Sequence, residues 1–249
     1  MNGLVCAEFR KLTTVRTTWI ITAVGLFLVA LTAGLFLFQE DLTGPFTGTD
    51  GELAALVDQI GGNSVIVLVI ALLVMTTEFR HGTIGRTLQV TPSRTTVLTA
   101  KLLIGVIYGL LFFLAGLVVV VVLVVISGED VSLGEQTAAS LWQGPVGLGL
   151  TAMFGVAVGA LVRNQVVAIT VTLVYVFVGE TIFNQFFPEI ARWLPFQALN
   201  AVFLSDEAMA NMPEGIISPL DPSVGLIVFI GYVAVVAVAA IVLMRKRDV

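Results

Sequence analysis

The sequence predicts an all-α membrane protein with six transmembrane helices in one transmembrane domain, residues 1–249. Its 249 residues are 57% hydrophobic and only 12% charged, with a mean hydropathy of +1.03. A soluble domain carries roughly 25% charged residues, so this chain has more apolar surface than one water-soluble core can bury. The apolar residues also form runs long enough to cross a bilayer, and the charges are divided unequally between the connecting segments.

Residues 1–18 are predicted to form an amphipathic helix that lies in the membrane interface. Val5, Phe9 and Leu12 recur at helical spacing and define its apolar face. Arg16 is the last basic anchor of this helix. The charged and polar positions elsewhere on the wheel are Glu8, Arg10, Lys11 and Thr14.

Six apolar runs are each long enough to cross about 30 Å of hydrocarbon at about 1.5 Å per helical residue. The predicted spans are residues 19–38, 56–75, 102–126, 141–162, 166–183 and 224–244. Lys101, just before the third span, is expected to extend its amino group to the membrane surface. Small residues stand four apart in the fourth span, a spacing that lets helices approach closely inside the subunit or between subunits. They are Gly147, Thr151, Gly155 and Gly159.

Polar side chains enter the outer membrane half at two places, and these form the candidate substrate path. Asn63 and Ser64 lie in the outer half of the second span, and Glu180 lies near the outer end of the fifth. Polar groups at this depth are costly unless they face protein or a wet cavity. We therefore expect these three residues to line a cavity at a subunit interface. The open alternative is that Glu180 only hydrogen-bonds nearby helix ends.

Residues 184–223 form an external segment, and its part from Pro188 to Leu204 is expected to cover this cavity. It is too apolar for a free loop and too often interrupted by proline for a span. Short helices that dip into the outer leaflet fit this pattern best.

The distribution of charge predicts the orientation. With six spans, both termini, the loop 76–101 and Arg163 lie on one side, which holds eleven of the 12 Lys and Arg residues but three of the 17 Asp and Glu residues. Only Arg192 among the basic residues lies opposite. Basic residues favour the cytoplasmic side, so the termini and this loop are predicted to be cytosolic. A multi-pass protein of the prokaryotic cytoplasmic membrane is the expected location.

Catalytic motifs are missing from the sequence. It contains no G-x-x-x-x-G-K-[ST], H-E-x-x-H, G-x-S-x-G or G-x-G-x-x-G. Cys6 and His81 are the chain's single cysteine and histidine, which argues against a Cys/His metal site. We therefore expect no catalytic residue, bound metal or cofactor in this chain.

The loop 76–101 has the pattern of a short helix held between two spans. Gly82 is suited to end the preceding helix, and Thr83 is a candidate N-cap for a helix over residues 84–89. Ile84 and Leu88 lie on one face of that helix. The charged residues around it include Glu78, Arg80 and Arg86.

Pro92 prevents this short helix from continuing, and Ser93 is placed to cap the helix that becomes the third span. A helix fixed across the ends of two spans moves both when it is pushed. The plainer alternative is a connector whose basic residues bind phosphate.

Three segments resemble the membrane subunits of type-2 ABC exporters. EFRHGTIGRTLQVTPSRTTVLTAK resembles their E-[FY]-R-x-G-T…P-x-R…K loop, AEFRKLTTVRTTW their N-terminal interfacial helix, and WLPFQALN the L-P segment before their last span. The resemblance implies that a separate ATPase, which binds ATP and Mg²⁺, docks on the loop, and that two permease subunits, identical or homologous, form the path. It also implies that Glu78 and Arg80 tie the loop to the interfacial helix. The implied ATPase-coupling residues are Glu78, Arg80, Gly82, Thr83, Ile84, Arg86 and Leu88.

The predicted function is accordingly that of a permease subunit without ATPase activity of its own. Two alternatives remain: a channel or secondary transporter that works alone, and a membrane sensor that uses the loop to bind a regulator. Only the first function requires an ATPase partner.

Overall fold

A computed structural model describes residues 2–38, 46–90, 93–128, 130–204 and 218–246 of the chain. Within these ranges the regular secondary structure is entirely helical, as the sequence predicts. The helices are α1 (Asn2–Thr14), α2 (Arg16–Phe38), α3 (Asp50–Gly62), α4 (Ser64–Arg80), α5 (Ile84–Val90), α6 (Arg94–Ser127), α7 (Glu135–Val162), α8 (Gln165–Val174), α9 (Glu180–Phe186), α10 (Pro188–Ala191), α11 (Pro195–Val202) and α12 (Pro222–Lys246), with a π-helical turn, Tyr175–Gly179, between α8 and α9.

The described part of the chain contains six helical segments that are long and apolar enough to cross a membrane, which confirms the six-span prediction by length and composition. They are Arg16–Phe38, Asp50–Arg80, Arg94–Ser127, Glu135–Val162, Gln165–Phe186 and Pro222–Lys246. Each contains its predicted apolar run and extends beyond it, because helical hydrogen bonds continue through polar interfacial residues. Arg16 was expected to be the last basic anchor of an interfacial helix over residues 1–18. It begins α2 instead, because the first helix ends at Thr14 and the helical run is interrupted at Val15.

Helix α7 lies at the centre of the bundle, in contact with α3, α4, α6 and α12. Its glycines permit this, since a Cβ on Gly155 would lie 2.7 Å from the Ala71 Cβ and 2.9 Å from the Leu68 carbonyl oxygen. A Cβ on Gly159 would lie 3.1 Å from the Met75 Cβ. Gly155 and Gly159 therefore pack against α4 inside the subunit, whereas a Cβ on Gly147 would lie 2.6 Å from the ring of Phe203.

The second span consists of α3 and α4, which are separated at Asn63. Thr49 and Glu52 form a capping box at the start of α3, which satisfies free N–H groups there. The Asp50 carboxylate reaches across to the start of α7 and accepts hydrogen bonds from backbone N–H groups. The donors are Gly134, Gln136 and Thr137, at 2.8, 2.9 and 3.0 Å. These contacts hold the start of α3 and the start of α7 together.

Helices α10 and α11 lie between the fifth and sixth spans, as expected for short helices in this segment. Phe196 of α11 packs edge-on against Phe154 of α7, with ring centroids 5.6 Å apart, and lies 6.2 Å from the ring of Phe229 of α12. A Cβ on Gly225 of α12 would lie 2.5 Å from the Ala198 carbonyl oxygen, so the two helices touch through backbone. Helix α11 is thus folded back onto the bundle. Residues 205–217 of the predicted external segment lie outside the described residues.

Candidate functional site

Four charged side chains from three helices meet where α1 crosses the ends of α4 and α6. Lys11 Nζ lies 2.6 Å from Glu8 Oε1 and 2.7 Å from Glu78 Oε1. Lys101 Nζ lies 2.6 Å from Glu8 Oε2 and 2.9 Å from Glu78 Oε1. Each ammonium group therefore contacts both carboxylates. We call Glu8, Lys11, Glu78 and Lys101 the charge cluster.

Three members of the charge cluster are buried. Lys101 is 0% exposed, Glu8 is 3% exposed and Glu78 is 5% exposed, whereas the Lys11 side chain is 49% exposed. Its two positive and two negative charges cancel, and this balance matters because an unpaired buried ion costs several kcal/mol. The cluster therefore favours one arrangement of α1, α4 and α6 over any in which a member loses its partners.

The protonation of the two α1 members follows from these contacts. Burial alone would raise the pKa of Glu8, but the charge of Lys101 and hydrogen bonds from Lys101 and Lys11 outweigh it and hold the pKa below its ordinary value. Burial alone would lower the pKa of Lys11, but hydrogen bonds to Glu78 and Glu8 outweigh it and raise the pKa. Both shifts favour the ionised forms, so both residues are charged at neutral pH.

Two members of the cluster are not where sequence reasoning put them. Lys101 does not extend to the membrane surface, because α1 lies over it and offers Glu8 as a partner. Glu8 was expected on the polar face of α1, yet it is buried together with Leu12, while Phe9 is 37% exposed. The sequence did contain a sign that Glu8 is buried. Glu8 lies one turn from Lys11, which can pair with it, and on the same helical face as the apolar residue Leu12.

Arg80 does not join the charge cluster, which corrects its predicted role. Glu78 contacts α1 as the resemblance implies, but the Arg80 guanidinium is exposed and its Nη1 donates to Gln165 Oε1 at 3.4 Å. The neighbouring Phe79 carries the Arg163 guanidinium over its ring, 5.5 Å from the centroid. The end of α4 is therefore held to α1 by Glu78 and to the start of α8 and the turn before it by Arg80 and Phe79.

Helix α5 is present where the short loop helix was predicted. Gly82 has φ +63°, the left-handed geometry that favours glycine, and it ends the preceding turn. The Thr83 carbonyl accepts a hydrogen bond from the Thr87 N–H at 3.1 Å, which begins the new helix. Ser93 caps α6 by accepting from the Thr96 N–H, while Pro92 lies outside the described residues.

The apolar side chains of α5 point in a different direction from the one expected. Ile84 is only 3% exposed and belongs to the bundle's own core, and Leu88 packs partly against the same core. The expectation that Ile84 contacts a partner is therefore wrong, because the chain itself buries that side chain. The outward-facing residues are Arg86, Gln89 and Val90, and Val90 is 86% exposed.

The three residues of the predicted substrate path make contacts with different parts of the chain. Asn63 Nδ2 donates to the Gln59 carbonyl at 2.8 Å, and the adjacent Ser64 is 5% exposed. Glu180 is 1% exposed, and its Oε1 accepts from the Phe196 N–H at 2.9 Å, in the first turn of α11. The contact of Glu180 in this subunit is thus with a helix end. Its part in a substrate path stays a prediction.

The fold defines the class of this molecule as a multi-pass α-helical membrane protein. Residues 4–179 match the model of the family described as "ABC-2 family transporter protein", which is more than half of the 249 residues. The chain therefore belongs to the ABC-2 transporter family and is a permease component of an ABC transporter. A comparison with curated proteins gave no match.

The family match covers the first four spans and the fifth up to residue 179, and leaves the last part of the chain outside it. It includes all of α5 and the whole charge cluster, and it ends at residue 179, immediately before Glu180. The matched part therefore contains the coupling residues proposed from the sequence, whereas α9 to α12 and the WLPFQALN segment lie beyond it.

Proposed function

We propose that this chain is the permease subunit of an ATP-driven exporter in a prokaryotic cytoplasmic membrane. It pairs with a second permease subunit, identical or homologous, and with a separate ATPase that binds ATP and Mg²⁺. The observation that carries the proposal is the charge cluster, which ties α1 to the ends of two spans beside α5. An ATPase that moves α5 would thereby move a connected part of the bundle.

The proposed transmission has two parts. Helix α5 follows α4 after a three-residue turn and precedes α6, so a displacement of α5 acts on the second and third spans together. Ile84 fixes α5 to the bundle, and the charge cluster fixes α4 and α6 to α1. Coupling between distant sites needs an element whose arrangement both sites bias. The unit of α1, α5 and the joined span ends has the contacts for that role.

The proposed docking face is the outward side of α5. Arg86 and Val90 are four residues apart, so they lie on the same helical face, and both are exposed. An exposed apolar side chain beside a cation is a reasonable anchor for a partner protein, because truncating an interface anchor typically costs about 2 kcal/mol. Leu88 is half-buried at the edge of this face, so its exposed part would add apolar contact area beside Val90.

Val90→Asp is expected to weaken binding of the ATPase about 30-fold, since a charge would replace an anchor worth about 2 kcal/mol. The measurement is co-purification and titration of the ATPase against the detergent-solubilised permease. Val131→Asp is the matched control, because Val131 is also exposed but lies in the loop between α6 and α7. Equal ATPase binding by wild type and Val90→Asp would remove α5 as the docking face.

Co-expression with and without the ATPase separates the proposed function from its alternatives. An exporter subunit should move substrate or change conformation with ATP only when the ATPase is present. A channel or secondary transporter should act without it, and a sensor should bind a regulator without transport. ATP-independent flux through the purified chain would favour a channel or secondary transporter.

We also propose that both termini and α5 face the cytosol, from the division of charge between the two sides. On a background without the native Cys6, cysteines at Thr47 and Ser132 should react with an impermeant thiol reagent in intact cells. A cysteine at Ser93 should react only after the membrane is opened. All three positions are exposed in the structure, so accessibility within the protein does not confuse the comparison. Labelling at Ser93 in intact cells would reverse the orientation.

We further propose that Asn63, Ser64 and Glu180 border the outer part of the substrate path in the assembled dimer. The support is that Glu180 holds the start of α11 over the fifth span, so releasing this hydrogen bond would free the outer end of the bundle. A dimer structure with these residues turned toward lipid would contradict the proposal.

A further inference from the structure

A cavity of about 540 Å³ lies beside the charge cluster, between the α1–α2 bend, α4 and the start of α8. Its size falls within the range of small-molecule sites, about 300–1,000 Å³. The apolar part of its wall comes from α1, from the junction between α1 and α2, and from the inner half of α4. These residues are Leu12, Val15, Ile70, Leu73 and Val74. The polar end is formed by hydroxyl and charged groups, including Thr18, Thr77, Arg80 and Gln165.

The charges at the polar end leave a positive excess. Glu8 and Glu78 line the cavity, but Lys11 and the buried Lys101 balance them within the charge cluster. Arg80 makes no ion pair with any carboxylate in the described ranges, and its contact with Gln165 Oε1 is a long one of 3.4 Å. A negatively charged group at this end would therefore meet a cation to which the described residues supply no counter-ion.

The cavity runs along α4 from the headgroup level into the hydrocarbon. Ile70 and Arg80 both line it and are ten residues apart on the same helix, which places them about 15 Å apart along the axis. The predicted second span ends at residue 75, so Ile70 lies five residues, or about 7.5 Å, inside the hydrocarbon, and Arg80 lies five residues outside it at the level of the headgroups. An occupant with its headgroup at Arg80 would place an acyl chain beside Ile70, Leu73 and Val74.

We propose that this cavity binds an anionic phospholipid of the leaflet that borders α1. Its phosphate group contacts Arg80 and the neighbouring threonine hydroxyls, and an acyl chain lies along Ile70, Leu73 and Val74. The lipid would fill the space under the α1–α2 bend and so support α1 at the position where the charge cluster holds it. This site does not depend on the proposed ATPase coupling.

The test uses the full-length chain in nanodiscs of phosphatidylglycerol and phosphatidylcholine, followed by native mass spectrometry of retained lipid. Wild type should retain phosphatidylglycerol in preference to phosphatidylcholine. Arg80→Gln should reduce that preference about fivefold, the effect expected for one basic residue near the headgroups. Arg245→Gln is the matched control, because Arg245 is an exposed arginine at the end of α12 that does not line the cavity.

A second pair of variants tests the apolar part. Leu73→Trp should fill the cavity and release both lipids, whereas Leu103→Trp, on an exposed face of α6, should retain them. If Leu73→Trp fails to fold, the comparison of Arg80→Gln with Arg245→Gln still tests the lipid site, because the Arg80 side chain is exposed and its replacement should not affect folding. No lipid preference in wild type, or an equal loss in Arg80→Gln and Arg245→Gln, would overturn the proposal. Co-purification of the ATPase with Arg80→Gln is measured in parallel. A variant that keeps the ATPase but shows no change in lipid preference counts against the lipid site and leaves the coupling proposal intact.

Discussion

Lys101→Ala is expected to destabilise the folded protein by about 3–5 kcal/mol, the range for removing one partner of a buried ion pair. The substitution leaves Glu8 and Glu78 close together, with only the half-exposed Lys11 between them. The largest attraction that lowers the pKa of Glu8 is then lost, and burial should raise that pKa instead. Binding a proton would relieve the repulsion, but α1 would still lose its contact with α6.

The measurement is the fraction of monodisperse protein after heating in detergent, followed by fluorescence-detected size exclusion. Lys246→Ala is the control, because Lys246 is exposed at the end of α12 and makes no ion pair within the described residues. The double variant Glu8→Gln with Lys101→Met should recover part of the loss, since it removes one charge of each sign. If Lys101→Ala melts at the wild-type temperature, the cluster does not stabilise this arrangement.

The sequence was sufficient for the architecture because the bilayer restricts what a spanning segment can be. Backbone groups in hydrocarbon must be satisfied within a helix, so six apolar runs predict six helices. The runs do not show where a helix ends, because hydrogen bonding continues into polar interfacial residues such as Arg94 and Glu135. Hydropathy therefore placed the spans well and their ends less well.

The charge cluster was only half predictable from sequence. Glu78 is one of the three acidic residues on the predicted cytosolic side, which distinguishes it in the sequence. The other members depend on how α1 crosses the bundle, and that crossing is a tertiary contact between residues 93 positions apart, Glu8 and Lys101. A lysine at a span boundary normally extends to water. It is buried here because a carboxylate from another helix meets it.

The same reasoning explains why Ile84 was misplaced. Its spacing with Leu88 identifies an apolar face on α5, and apolar faces of loop helices are candidates for partner contacts. Periodicity shows that such a face exists but not whether the chain's own core or another protein covers it. In this structure the core covers Ile84, which leaves Val90 and Arg86 as the outward pair.

Glu78→Gln is expected to leave the ATPase bound but to abolish the movement that ATP drives in the permease. Glutamine keeps the shape of the side chain and an acceptor oxygen for Lys101, so the fold should persist. It removes one negative charge, however, and leaves the cluster with an excess of one positive charge. The tie between α4 and α1 through Lys11 then loses its ionic character, and α4 can follow α5 without carrying α1 with it.

The readout is ATP-dependent labelling of a cysteine at Asn63, at the break in the second span, measured together with ATP hydrolysis and ATPase stoichiometry. Wild type should show a change in labelling with ATP, and Glu78→Gln should hydrolyse ATP in an intact complex without that change. Glu189→Gln is the control, because the Glu189 side chain is 69% exposed and pairs with Arg192 one turn later, away from the charge cluster. A full labelling change in Glu78→Gln would show that the cluster stabilises the permease without transmitting force, since the complex would then couple normally with one of its charges removed.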